Sequence, residues 1–158
     1  MKKRVPSLFE WAGGGQSLEA LTRRFYEKVA EDPLIGPVFS HMSAAHAAHV
    51  AHFIGEVFGG GPLYTLGDGG SHRDMVAHHV GKNLTEQMRK RWMDLLLETA
   101  DETGLAADPE FRSSVIAYLE WGSRIAVINS TTTENPIDEQ APMPKWGWGE
   151  TGGPYQPD

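Results

Sequence analysis

Residues 72–92 read HRDMVAHHVGKNLTEQMRKRW, and we expect the fold to be organised around this stretch. Two adjacent histidines, His78 and His79, end a short apolar segment. A strongly helical run follows, in which Thr85 can cap the helix and Glu86 suits its positive first turn. Neutral imidazole is a good ligand for iron, zinc or copper. An isolated histidine is more often structural, so a metal-binding role for this pair depends on what the rest of the chain offers.

The first long helix is predicted to follow a bend at three glycines, residues 13–15. Ser17 begins this helix, which ends near the Asp-Pro pair at residues 32–33. Its apolar residues recur at helical spacing and share one face: Leu18, Leu21, Phe25 and Val29. Tyr26 is displaced about 100° from Phe25. A short helical turn after this helix carries Phe39 inward.

The second long helix is predicted to begin at Ser43, and its apolar face contains a histidine. The residues of that face are His46, Val50, Phe53 and Val57. A hydrogen-bonded core histidine and a ligand-facing histidine both fit the position of His46. A glycine-rich loop then passes through Tyr64 and is long enough to fold over a ligand.

Two more helices follow the histidine pair, the first of them between residues 85 and 103. Its buried face is predicted from helical spacing: Met88, Trp92, Leu95, Leu96 and Thr99. Its basic residues lie mostly outside: Arg89, Lys90 and Arg91. The last helix begins at Asp108, with Pro109 in the first helical position. In this helix Gly122 would allow close packing against a neighbour or a flat ligand.

Composition excludes several classes of function. The 158 residues carry a formal charge of −7, which argues against nucleic acid or an anionic membrane as the main partner. No stretch approaches the roughly 20 apolar residues of a membrane span, and we expect a cytoplasmic protein. The absence of cysteine excludes disulfides, thiolate ligands and cysteine nucleophiles. A metal must therefore be bound by histidine, by carboxylate or within a cofactor.

The composition changes near Ser130, which divides the chain into a domain at residues 1–129 and a tail at residues 130–158. The tail contains half of the ten prolines, has no helical periodicity, and is predicted to be extended or disordered. Its large apolar groups suggest that it lies along the domain or meets a partner: Trp146, Trp148 and Tyr155. Because the candidate site residues all lie upstream, we expect a chain without residues 131–158 to keep its helices and the binding of any cofactor.

The predicted helices, the inward aromatic residues and the imidazoles from two separate elements suit a flat apolar cofactor. The sequence resembles the truncated haemoglobins, which are shortened globins with a two-over-two helical sandwich, and most nearly their second group. The resemblance covers about residues 18–129. It rests on FYEKVAEDPLIGPVF, on HFIGEVFGGGPLY, on the glycine motifs at both bends, and on a histidine thirteen residues before Trp92.

The resemblance implies an all-α fold, a haem b cofactor (iron protoporphyrin IX) and a set of site residues. By this likeness His79 is the metal ligand, bound to the iron. The residues expected to contact the cofactor are His79, Phe39, Val50, Phe53, Tyr64, Lys82 and Trp92. The residues expected to face the bound ligand are Tyr26, His46 and Trp92. His46 departs from the second group, where many members carry a small residue, and His78 stands directly beside the expected ligand.

The leading functional prediction is a haem protein that reversibly binds oxygen and other small diatomic ligands. Oxygen transport, redox chemistry and nitric oxide chemistry all stay open, and so does enzyme status, because turnover would need an external reductase. A homodimer is also left open. The alternative is a helical metalloenzyme without haem that uses carboxylates and some of five histidines: His46, His49, His72, His78 and His79. The sequence lacks the His-Glu-x-x-His spacing that is typical of such metal sites. A metal-free interaction module is the third alternative.

Overall fold

The computed structural model describes residues 4–156, so the ends of the predicted domain and tail, residues 1–3 and 157–158, lie outside it. This part of the chain contains six α-helices and no β-strand, which confirms the predicted all-α class. The helices are α1 (Leu8–Trp11), α2 (Gly14–Glu31), α3 (His46–Val57), α4 (His72–Ala77), α5 (Glu86–Glu102) and α6 (Pro109–Ser130). Short 3-10 turns form at Gly36–Phe39 and Gly149–Thr151. None of the described helices combines the length and the apolar run needed to cross a bilayer.

Helix starts that depend on a local cap agree with the sequence. The Thr85 hydroxyl accepts the N–H of Met88 at 3.1 Å and caps α5. The Asp108 carboxylate accepts the N–H of Phe111 at 3.1 Å and caps α6, with Pro109 as its first residue. These side chains satisfy amides that have no partner inside the helix. Both predicted starts are confirmed.

Two predicted helix starts were wrong by three residues. Helix α2 begins at Gly14 rather than at Ser17, because Gly13 adopts a left-handed φ of 101° that turns the chain directly into the helix. Helix α3 begins at His46 rather than at Ser43, whose carbonyl oxygen accepts the His46 N–H in a preceding turn. In both places a backbone turn, and not the serine, determines where the helix begins.

The helices form two packed pairs around a single core. Helix α2 packs against α3 and also contacts α5, which packs against α6. Thr22 in α2 is buried and donates its hydroxyl to the carbonyl of Ala47 in α3 at 2.8 Å. The most buried large side chains come from both pairs and from the segments between them: Phe25, Val29, Ile35, Val57 and Phe111. The pairs are thereby joined into one domain.

Beyond α6 the described tail is irregular but packed on the domain. Helix α6 ends at Ser130, next to the predicted boundary of the domain. The Trp146 amide donates to the carbonyl of Val57 at 2.9 Å. The Trp148 indole donates to the carbonyl of Pro6 at 2.8 Å. The tail therefore returns to the end of α3 and to the N-terminal segment.

Candidate functional site

A cavity of ≈ 700 Å³ lies between the two helix pairs. Its size is within the roughly 300 to 1,000 Å³ of small-molecule and cofactor sites. All residues predicted to contact a cofactor or ligand lie in its wall: Tyr26, Phe39, His46, Val50, Phe53, Tyr64, His79, Lys82 and Trp92. The fold thus brings together side chains from α2, α3, α5, the turn at Gly36–Phe39 and the loops around α4.

Three of these side chains form an edge-to-face cluster. The ring centroid of Tyr26 lies 5.5 Å from that of Phe39 and 4.8 Å from that of His46. Phe25 lies behind them in the core, 4.9 Å from Tyr26 and 5.8 Å from Trp92. Such aromatic pairs fix the orientation of both rings. Tyr26 and Trp92 are therefore supported from the same core residue.

The polar groups of this cluster and of the neighbouring Trp92 have no hydrogen-bond partner within residues 4–156. This is so for the hydroxyl of Tyr26, the indole N–H of Trp92 and the imidazole of His46. Burial raises the pKa of Tyr26, so its phenol stays protonated and can donate. The three residues line the cavity, where a bound molecule can supply the missing hydrogen-bond partners. The arrangement suits a small polar ligand inside the cavity.

The imidazoles of His46 and His79 are both held in the neutral form. Burial, and then the neighbouring His78 and His49, lower the pKa of His46 to about 4. Burial, and then His78, His46 and Lys82, lower the pKa of His79 to about 4. A metal ligand must offer an unprotonated nitrogen, and these imidazoles do so at neutral pH.

The two adjacent histidines differ in their surroundings. His78 is exposed, and its ring lies 6.4 Å from that of His46. His79 is half-buried and is the second residue after α4, and its N–H donates to the carbonyl of Val76 at 2.9 Å. Both line the cavity. The deeper burial of His79 favours it as the ligand, and the choice between them stays a prediction.

At the edge of the cavity Lys82 is exposed, whereas Tyr64 is buried. The Tyr64 ring packs at 5.2 Å from Phe53 and also covers Gly70. A Cβ added at Gly70 would lie 2.3 Å from Cζ of Tyr64, so only glycine fits beneath this ring. The Tyr64 ring is therefore packed between Gly70 of the glycine-rich loop and Phe53 of α3.

Some wall residues were missed by sequence reasoning, Arg89 foremost. It was predicted to lie outside, but it is buried in the cavity wall. Its guanidinium donates to Glu86 at 2.6 Å and 2.8 Å and to Glu120 at 2.8 Å. The Glu86 partner, three residues away, was a signal that the arginine could be paired. The other missed residues on α6 include Tyr118, Trp121 and Asn129.

The non-haem alternative is not supported. Its five histidines all line the cavity. Nevertheless, the described residues contain no group of three or more histidines and carboxylates placed to bind a metal ion. Imidazoles that are not grouped with carboxylates, in a cavity with a largely apolar wall, instead suit a metal that brings most of its own ligands.

Two helix pairs around an apolar cavity, with a histidine and a tyrosine–tryptophan cluster in its wall, define a shortened globin. The family model of the bacterial-like globins matches residues 7–122. A group 2 truncated hemoglobin of Bacillus subtilis (strain 168) is 30% identical over 122 residues, which cover 77% of this chain and 89% of that protein. The chain therefore belongs to the bacterial-like globin family, as a group II truncated haemoglobin.

Solved structures agree with this assignment. The group II truncated hemoglobin of Bacillus anthracis superposes with a TM-score of 0.68 at 26% identity, covering 87% of this chain and 98% of that one. A truncated oxygen-avid haemoglobin from Bacillus subtilis gives a TM-score of 0.67 at 30% identity, covering 77% of this chain and 99% of that one. The two-over-two sandwich expected from the sequence is thereby confirmed.

The cofactor of this family is haem, and the residues present fit it. Gly122 lies in the cavity wall, where an added Cβ would meet only Tyr118, at 4.0 Å. The flat surface left there suits a planar group. The neutral His79 and the donors without protein partners suit the two sides of a haem iron. The chain is therefore a haem globin, a class of protein that binds oxygen and other small diatomic ligands.

Proposed function

We propose that the chain binds haem b through His79 and uses it for reversible binding of oxygen and other small diatomic ligands. One observation carries the proposal: a single cavity wall combines neutral His79 with the partnerless donors of Tyr26 and Trp92. Bound haem supplies an iron atom that accepts one protein nitrogen and one small ligand. The protein residues around the ligand determine its rate of dissociation.

Tyr26 and Trp92 are proposed to donate hydrogen bonds to the bound ligand. A hydrogen bond to a partly charged acceptor in a dry pocket contributes roughly 1.5 to 3 kcal/mol. Two such bonds would slow release of a polar ligand by orders of magnitude. One solved relative is described as oxygen-avid, and we propose slow oxygen release for this chain as well.

The remaining side chains are proposed to seat the cofactor. Phe39, Val50 and Phe53 would pack on its apolar faces. Lys82 and Tyr64 would bond its carboxylates, since a cation or a hydroxyl at the edge of the cavity can do so. An external reductase, a cytoplasmic location and a homodimer are further proposals that rest on the sequence.

An ultraviolet-visible spectrum of the purified protein tests the proposal directly. Haem in the cavity gives an intense Soret band, and the ferrous protein should form distinct spectra with oxygen and with carbon monoxide. Titration with haem should saturate at one haem per chain. A chain that folds but gives no Soret band after haem titration would contradict the proposal.

A further inference from the structure

Helix α4 leads directly into the histidine pair, yet it has only six residues, His72–Ala77. Isolated helices shorter than about 12 residues are marginal in water. Its N-cap, Ser71, accepts the N–H of Asp74 at 3.1 Å, which stabilises only the first turn. Further contacts must therefore determine where α4 lies.

The C-terminal tail supplies contacts along the first turn of α4. The side-chain amide of Asn135 donates to the carbonyl of Arg73 at 2.9 Å. The guanidinium of Arg73 donates in turn to the carbonyl of Ile137. Two tail residues, Asn135 and Ile137, thus bond Arg73 in the first turn of α4.

The connector after His79 is bound by Ser130, the last residue of α6, from which the tail continues. The backbone N–H of Asn83 donates to the carbonyl of Ser130 at 2.9 Å. The N–H of Leu84 donates to the Ser130 hydroxyl, also at 2.9 Å. Asn83 adopts a left-handed φ of 51°, so the connector makes a defined turn here. Helix α4 before the histidine pair and the connector after it are therefore both bonded by the continuous stretch of residues 130–137.

The far end of this stretch is fixed to the core. The Trp146 backbone N–H donates to Val57 at 2.9 Å, and its indole donates to the carbonyl of Ser114 at 3.0 Å. The Ser114 hydroxyl donates to the carbonyl of Trp148 at 2.9 Å. Ser114 is buried, so these bonds are shielded from water. Because this segment is bonded to the core at both ends, it can fix the position of α4 and of the connector that it contacts.

We propose that residues 130–148 form a C-terminal strap that positions His79 by fixing α4 and the connector on its two sides. Asn135 and Arg73 are the positioning residues, because their side chains join the strap to α4. The strap lies entirely beyond the family match, which ends at residue 122. This inference rests on the proposed function in one respect, the assignment of His79 as the iron ligand.

The test uses the full-length, haem-loaded protein. Asn135→Asp keeps a side-chain oxygen at the place of the amide oxygen that accepts the Ile137 N–H at 2.9 Å, but it removes the amide donor to the Arg73 carbonyl. Arg73→Met removes the donor to Ile137, and Arg73→Lys restores a donor at the same position. Glu139→Ala, at an exposed position of the same strap, is the matched control.

Two readouts decide the outcome. Amide hydrogen exchange at Met75, His79 and Val80 should be about tenfold faster in Asn135→Asp and Arg73→Met, since each loses about one hydrogen bond. The iron–histidine stretching frequency of the ferrous protein should shift in the same two variants. Arg73→Lys should partly restore both values, and Glu139→Ala should change neither.

Unchanged amide hydrogen exchange in both Asn135→Asp and Arg73→Met would contradict the proposal that the strap fixes α4. Faster exchange with an unchanged iron–histidine frequency would overturn its positioning role. A separate variant, His79→Ala, distinguishes failure of the proposed function. A normal ferrous spectrum in that variant would overturn the ligand assignment, whatever the exchange measurements give.

Discussion

The ring of Tyr26 lies 4.8 Å from the ring of His46, with the two planes at 87°. Tyr26 comes from α2 and His46 is the first residue of α3, so the contact joins the two helices at the cavity wall. A neutral imidazole carries one N–H, and a phenol can donate as well as accept. The cavity therefore offers two adjacent donors on one side, with Trp92 as a third.

The first prediction concerns these donors. Tyr26→Phe and Trp92→Phe should each speed oxygen dissociation about tenfold or more, because each removes a hydrogen bond of roughly 1.5 to 3 kcal/mol to a partly charged ligand. Stopped-flow kinetics on the ferrous protein measure the rate. Phenylalanine keeps most of the ring volume, which limits changes in packing against Phe25.

Carbon monoxide release in the same variants is the control for the first prediction. Carbon monoxide is the less polar ligand, so its dissociation should change much less than that of oxygen. If both variants left oxygen dissociation within a factor of two of the parent, the proposed donors would not act. His46→Ala would then test whether the distal imidazole acts alone.

The second prediction separates the adjacent histidines. His79→Ala should lose the normal ferrous spectrum and release haem quickly, because it removes the half-buried imidazole that is proposed to bind the iron. His78→Ala should retain haem, since His78 is exposed. Spectra and haem transfer to an excess of apomyoglobin measure both effects. The reverse result, with loss of haem only in His78→Ala, would reassign the ligand.

Local signals made much of the fold predictable. Thr85 and Asp108 cap their helices through amides three residues away, so their roles can be read from a short window of sequence. The start of α2 could not be read in this way, because it depends on the backbone conformation of Gly13. Helical spacing also placed His46 and Trp92 on buried faces, and the family resemblance singled out Tyr26. All three residues line one cavity in the folded chain.

The features that the sequence did not predict depend on contacts between residues far apart in the chain. Arg89 is buried because Glu86 and Glu120 both pair with it, and the sequence near Arg89 does not indicate Glu120, which lies on another helix. The tail has no periodicity, so the bonds of Asn135 to α4 have no local signature. The expectation that the cofactor binds without residues 131–158 did not include these contacts. The proposed strap predicts weaker haem retention when they are lost.

The third prediction concerns the turn that carries Phe39. The Asp32 carboxylate accepts the N–H groups of Leu34 and Ile35, both at 3.0 Å, and is bonded by Arg91 at 2.6 Å. Burial alone would raise the pKa of Asp32, but these hydrogen bonds lower it. Asp32→Ala should lower the free energy of unfolding by roughly 2 to 3 kcal/mol, because two buried amides lose their acceptor.

Urea unfolding of the haem-loaded protein at neutral pH measures this loss. Arg91→Met is the matched variant, since it removes only the ion pair. It should cost under about 1 kcal/mol, because the arginine side chain is 41% exposed and the pair is screened by water. Equal losses in the two variants would show that the ion pair, and not the capping of the turn, is what stabilises this region.

The last prediction is a pH dependence centred on His52. Its Nδ1 lies 2.8 Å from the Asp68 carboxylate in the glycine-rich loop, and its Nε2 lies 3.0 Å from the Glu19 carboxylate in α2. Burial lowers the pKa of His52, but hydrogen bonds to both carboxylates outweigh it and raise the pKa above 6.5. Only the protonated ring can donate to both, since neutral imidazole has a single N–H.

A raised folded-state pKa stabilises the protein fully below the unfolded value of 6.5, and this stability is lost as the pH rises through the folded pKa. His52→Gln should therefore melt lower than the parent at about pH 6, with the difference shrinking toward about pH 9. Thermal unfolding followed by circular dichroism measures the difference. Glu19→Gln, which removes one carboxylate charge, should flatten the pH dependence of the parent. A difference between His52→Gln and the parent that stayed constant from pH 6 to pH 9 would show that the imidazolium does not stabilise this contact between the loop and α2.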